Sequence, residues 1–254
     1  MPKTIVIIGD SWGVPNYSKD WPNLSHLDHT EFQLKDKGYN VLNFSLNGGS
    51  NIETIEYARH VLLHKPMPEQ VKSGIDRKRD LYNLTGGDIK FMPEPEYHGQ
   101  KIDWIVWFHT ESIRDLNSGP AINFCTLKEL YTISLHAGYR AFKLLIDNFP
   151  NVKTAVIGGQ AFVDPIFYSY HTPNFIIEDW RSEIVGRKLP EVYSLSRVDL
   201  VDSLYDNTEE KLNTLNNHAA IYDAMSNTQL FFDRCHPGKP HIDLANRLHE
   251  EFSK

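Results

Sequence analysis

A serine follows directly on the first apolar run of the chain, where Ile5-Val6-Ile7-Ile8 leads into Gly9-Asp10-Ser11-Trp12-Gly13. If that run is a parallel strand, Ser11 stands at its carboxyl end, in the crevice where open α/β sheets bind ligands. Glycines on both sides permit a tight turn that would present the hydroxyl, although the same residues also suit an ordinary strand-to-loop turn. Far along the chain stands Phe232-Asp233-Arg234-Cys235-His236-Pro237-Gly238, just before a helical pattern. An aspartate and a histidine three apart on a turn can face each other, the carboxylate holding the imidazole in one tautomer and stabilising its cation. His236 would then be a general base for a nearby hydroxyl. The plainer alternative is a loop leading into a helix, whose Asp233 and His236 satisfy backbone groups.

Together, Gly9-Asp10-Ser11 after a first strand and Asp233-x-x-His236-Pro237 before a C-terminal helix resemble the SGNH (GDSL-type) hydrolase family. The family's second block, a glycine after the second strand, is matched by Asn43-Phe44-Ser45-Leu46-Asn47-Gly48-Gly49-Ser50-Asn51. The resemblance covers nearly the whole chain through the order and spacing of these blocks. It implies Ser11 as nucleophile, His236 as base and Asp233 as the orienting acid. The oxyanion hole it implies comprises the Ser11 N–H and one from Gly48 or Gly49, each preorganised donor being worth about 3 kcal/mol in the transition state.

One block departs from the family pattern. Where the family carries Gly-x-Asn-Asp after the third strand, with the Asn donating a third oxyanion hydrogen bond, this chain reads His109-Thr110-Glu111-Ser112. Glu111 falls on the Asn, and an ionised carboxylate accepts hydrogen bonds but donates none. Three arrangements are open. Glu111 turns away and Asn51, Thr110 or His109 substitutes; or the site is catalytically weak; or Glu111, with Arg114 as partner, binds a cationic or hydroxyl-rich substrate. The reaction implied is hydrolysis of an acyl ester, with an acetyl ester on a carbohydrate favoured because the loops are aromatic and polar. An O-acyltransferase and a non-catalytic glycan-binding protein on the same fold are the alternatives. No cofactor is implied.

Other residue sets point less far. His26 with His29, and His60 with His64, have chelating spacings but no evident third ligand nearby, so no metal is expected. Cys235 adjoins the base but a neighbour on a turn usually points elsewhere. Gly48-Gly49 lacks the spacing of a dinucleotide fingerprint. Trp12, Tyr17 and Trp21 could form a stacking wall for a sugar, or simply pack in the core.

The elements that must hold these residues are legible as an alternation. Thr4 to Ile8, Val41 to Phe44, Ile102 to Phe108 and Thr154 to Ile157 read as buried strands, the near-continuous apolar runs of a parallel sheet covered on both faces. Between them lie helical stripes, clearest over Leu127, Leu130, Tyr131, Leu135, Phe142 and Leu145, and again over His241, Leu244, Ala245, Leu248 and Phe252. The expectation is a three-layer α/β/α, flavodoxin-like parallel sheet in one domain over residues 1–254, with an insertion at about 65–100. The proline- and aromatic-rich stretch from Gln160 to Leu200 is expected to cover the ligand-binding edge.

Composition bounds the rest. The 254 residues carry 26 Lys plus Arg against 33 Asp plus Glu, a net charge of −7, which disfavours nucleic acid as a partner. With 41% hydrophobic and 23% charged residues the chain is of ordinary globular type. Two cysteines make no disulfide framework. No apolar run approaches a bilayer span, and the first apolar run reads as a strand rather than a signal peptide, so a cytoplasmic protein acting on a small-molecule or carbohydrate ester is expected. The oligomeric state is open.

Overall fold

Alternate residues of a strand face opposite ways, so a strand apolar at every position must be covered twice. The run Ile5-Val6-Ile7-Ile8 in the first strand is of that kind. In the computed structural model, which describes residues 2–14, 26–84, 95–115, 127–190, 208–227, 230–231 and 236–254, β1 spans Thr4–Gly9 and every residue of it is buried. Strands β2 (Asn40–Asn43), β3 (Trp104–His109), β4 (Lys153–Gly158) and β5 (Phe175–Ile177) complete a five-stranded sheet in the order β2-β1-β3-β4-β5. All four pairings are parallel.

Helices α1 (Thr30–Asp36), α2 (Asn51–Leu62), α3 (Glu69–Leu84), α4 (Leu127–Ile146), α5 (Trp180–Val185), α6 (Thr208–Ala224) and α7 (Pro240–Ser253) cover the two faces. Val6, Ile8, Ile105, Trp107 and Val156 pack on Ile55 and Ala58 of α2, Ile75 of α3 and Leu135 and Phe142 of α4. Ile5, Ile7, Val106, Phe108 and Ile157 pack on Leu34 of α1, Trp180 of α5, Ile221 of α6 and Leu244 and Leu248 of α7. The protein is therefore a three-layer α/β/α, flavodoxin-like fold.

Two features decide where chemistry can occur. The chain runs from β1 to β2 on one side and returns to β3 on the other, so the strand order reverses between β1 and β3. Their carboxyl ends flank the crevice that such a reversal opens. Within the stretch read as an insertion, residues 69–84 form α3. Within the stretch read as an edge cover, Phe175–Ile177 instead extends the sheet beside β4, and this strand was not expected. Among the described residues no helix is long and apolar enough to cross a membrane.

Candidate active site

The turn after β1 is set by Asp10. Its Oδ1 accepts the Trp12 N–H at 3.0 Å, and the Gly13 N–H reaches back to the Asp10 carbonyl at 3.0 Å. This is the side-chain-to-backbone closure that aspartate offers two residues ahead. Gly9 and Gly13 are required by space, since a Cβ would lie 2.6 Å from Phe108 Cβ at the first and 2.3 Å from Ser45 Oγ at the second. Ser11, nearly buried, is held between them.

His236 arrives from the opposite end of the chain. Phe231 bridges to Pro237, and the Gly238 N–H donates to the Leu230 carbonyl at 2.9 Å, just ahead of α7. His236 Nε2 lies 2.7 Å from Ser11 Oγ. With its proton on Nδ1 the imidazole can accept the serine hydroxyl's hydrogen, the contact a general base requires. Asp233 and Cys235 lie outside the described residues.

The glycines after β2 separate. Leu46 to Gly49 is a turn closed by the Gly49 N–H on the Leu46 carbonyl at 2.9 Å, with Gly48 at φ +63° in its third position. That left-handed conformation suits glycine. The Gly49 N–H is thus engaged within the turn, which removes it from the expected donor pair. Of the two, Gly48 is the one whose N–H the turn leaves over. The turn is braced from both sides. Ser50 and Glu53 form a reciprocal capping box at the start of α2, and Lys78 of α3 reaches both the Glu53 carboxylate and, at 3.3 Å, the Gly48 carbonyl. Lys78 of α3 therefore holds the turn.

Asn51 does not stand open to a substrate. Its amide donates to the Thr110 carbonyl at 2.9 Å and accepts the Thr110 N–H at 3.0 Å, fixing the segment after β3 to α2. The Thr110 hydroxyl in turn donates to Asp10 Oδ2 at 2.5 Å. Glu111 is 2% exposed and pairs with Arg114, whose Nε lies 3.1 Å from its carboxylate. Asn51 and Thr110 are thus supports rather than substitute donors, and the expectation of Glu111 as a substrate contact gives way to a buried ion pair. Arg114 also meets Asp10 Oδ2 at 3.4 Å and Gln160 Oε1. Burial pushes the Asp10 carboxyl above its ordinary range, against the pull of Arg114, Thr110, the Trp12 N–H and His236.

The remaining histidines are structural in their surroundings. His29 caps α1 by accepting the Glu31 N–H at 3.2 Å and packs at a tilt, ring centroids 4.2 Å apart, against His241, which itself bonds Thr30 at 2.8 Å. Burial lowers His29 to about 4 and lowers His241 as well. His60 lies beside Glu56, and His64 stacks on Tyr97. His109, also lowered to about 4 by burial, packs against Trp107 and Tyr139. Trp12 is fully buried between Trp180 and Phe231, so it belongs to the core and not to a stacking wall. Tyr17 and Trp21 lie outside the described residues.

Three further residues belong to this arrangement. Asp10 carried a signal, since aspartate two residues before a backbone N–H commonly closes a turn. Gln160 and Lys78 carried none, because their partners lie 46 and 25 residues or more away in sequence.

No family model matches the sequence. No curated protein matches it either. Among solved structures, a psychrotrophic esterase from Pseudoalteromonas sp., inhibited by monoethylphosphonate, is similar over 99% of this chain and 97% of its own. Sequence identity is 12% and the TM-score 0.35. A likeness that distant says nothing about the chemistry at Ser11.

Proposed function

We propose that the protein is a serine hydrolase of the SGNH type that cleaves an acyl ester, with Ser11 as nucleophile and His236 as general base. The observation that carries this reading is the 2.7 Å contact between His236 Nε2 and Ser11 Oγ, residues 225 positions apart whose meeting no local structure requires. Ser11 Oγ attacks the acyl carbonyl while its proton passes to His236 Nε2. The oxyanion is met by the Ser11 and Gly48 N–H groups. His236 then gives the proton to the departing alcohol as the carbonyl re-forms, leaving an acyl-serine. Water, activated by the same imidazole, releases the acid and frees Ser11. Asp233 is assigned to orient His236 through Nδ1. No cofactor enters this scheme.

For the substrate we favour a small acyl group, acetyl above all, on a carbohydrate. The aromatic and polar character of the loops in the sequence suits a hydroxyl-rich alcohol better than a lipid chain. The decisive experiment is labelling with a fluorophosphonate probe and mapping of the modified residue. Stoichiometric modification of Ser11, with turnover of an acetyl-ester panel falling about a hundredfold or more in Ser11→Ala and in His236→Ala, is the expected result. If the folded protein takes up no label and hydrolyses no ester, the glycan-binding alternative stands instead. Acyl transfer to an added sugar in preference to water would identify an acyltransferase.

A further inference from the structure

Arg114 lies in a short 3-10 turn, Ser112–Asp115, just beyond β3, yet its guanidinium joins the ends of three strands. Nη1 meets Asp10 Oδ2 after β1, Nε meets Glu111 after β3, and Nη2 donates to Gln160 after β4. Asp10 is fully buried and Glu111 nearly so, while the Arg114 side chain is 15% exposed. Only arginine offers a rigid planar fork with donors in several directions at once, and lysine would deliver a single point charge.

The two carboxylates are the reason the fork matters. Asp10 directly precedes Ser11, and its other oxygen holds the Trp12 N–H that shapes the nucleophile's turn. Glu111 takes the place from which the resembled family supplies an oxyanion donor. A lone negative charge at either position opposes the negative charge that develops on the carbonyl oxygen during attack. Pairing with one shared cation answers both.

We propose that Arg114 is a positioning residue for Ser11: it clamps the ends of β1, β3 and β4 into one register and neutralises the carboxylate that replaces the missing donor. This rests on the hydrolase reading above. It acts in the transition state more than in substrate binding, so it belongs to kcat rather than KM.

The test uses Arg114→Gln, Arg114→Lys and the double variant Arg114→Gln/Glu111→Gln, assayed on a small activated ester with melting curves and fluorophosphonate labelling rates alongside. Arg114→Gln should lower kcat about tenfold or more while KM stays within about threefold. Arg114→Lys should fall between it and the unaltered protein, with KM again unmoved. The double variant should regain about threefold or more of the lost kcat, because the stranded carboxylate is gone. A role confined to holding the fold would instead leave the double variant no better than the single one. Failure of Arg114→Gln to fold leaves the decision to Arg114→Lys, and kcat unchanged there overturns the proposal. Equal kcat in Arg114→Gln, or no regain in the double variant, overturns it too. Absence of labelling in the unaltered protein would sink the hydrolase reading and this proposal together, whereas normal labelling with an indifferent Arg114 sinks this proposal alone.

Discussion

On the proposed hydrolase reading Glu111 stands where a donor is expected, and its charge is answered by Arg114 at 3.1 Å. Restoring the residue type of the resembled family by Glu111→Asn would therefore not restore that family's donor. It would take a buried anion from a buried cation, a change that commonly costs about 3–5 kcal/mol when one partner of such a pair is removed. Here the cost should be nearer about 2 kcal/mol, because Asp10 still faces the same guanidinium. The expected outcome is a lower melting temperature together with reduced kcat on every ester tried. Faster turnover of an activated ester at an unchanged melting temperature would show that Glu111 hinders a donor site rather than supporting it.

At the scale of elements, the segment after β3 keeps its place through α2. Asn51, at the first residue of that helix, is 1% exposed and exchanges two hydrogen bonds with the Thr110 backbone. Asn51→Ala strands a buried N–H and a buried carbonyl, which should cost about 2–4 kcal/mol of stability, read as a fall in the urea midpoint. Turnover should fall with it, since Thr110 in turn holds Asp10; full activity with full stability would show the pairing to be dispensable. How far such elements could be read from sequence depended on how local their causes are. Four strands and the helices over 127–146 and 240–253 announce themselves by unbroken apolar runs or by a helical stripe. The Ser50-x-x-Glu53 cap was legible in principle but lay inside a block read for its glycines. β5 escaped because three residues amid prolines and aromatics give no periodicity to measure. Ser11 and His236 could be nominated from short motifs. The fork at Arg114 could not, because its three acceptors are brought together only by the order of strands in the finished sheet.

For the whole molecule, the buried histidines govern the response to acid. His29 and His109 are held near 4, and His241 is lowered as well, each chiefly by burial. A histidine with an ordinary value near 6.5 takes up its proton on unfolding anywhere between the two values, so the unfolded state binds more protons and stability falls as pH falls. A displacement from 6.5 to about 4 corresponds to about 3 kcal/mol per group, large beside the 5–15 kcal/mol that holds a typical domain together. Asp10, raised by burial, works in the opposite sense, but His171 and Asp103, both lowered, act in the same sense as the three histidines. The urea midpoint should therefore drop steeply from pH 6.5 toward pH 4. A midpoint flat across that range would mean that these imidazoles are solvated.

The contact between Ser11 and His236 also has a consequence for the time at which the protein becomes competent. During synthesis Ser11 and its turn are made 225 residues before His236. Everything from β2 to α6 is made before the segment just ahead of α7. A chain arrested short of residue 236 would carry a finished nucleophile turn and no partner for it. The Ser11–His236 contact thus forms only after all five strands of the sheet have been made.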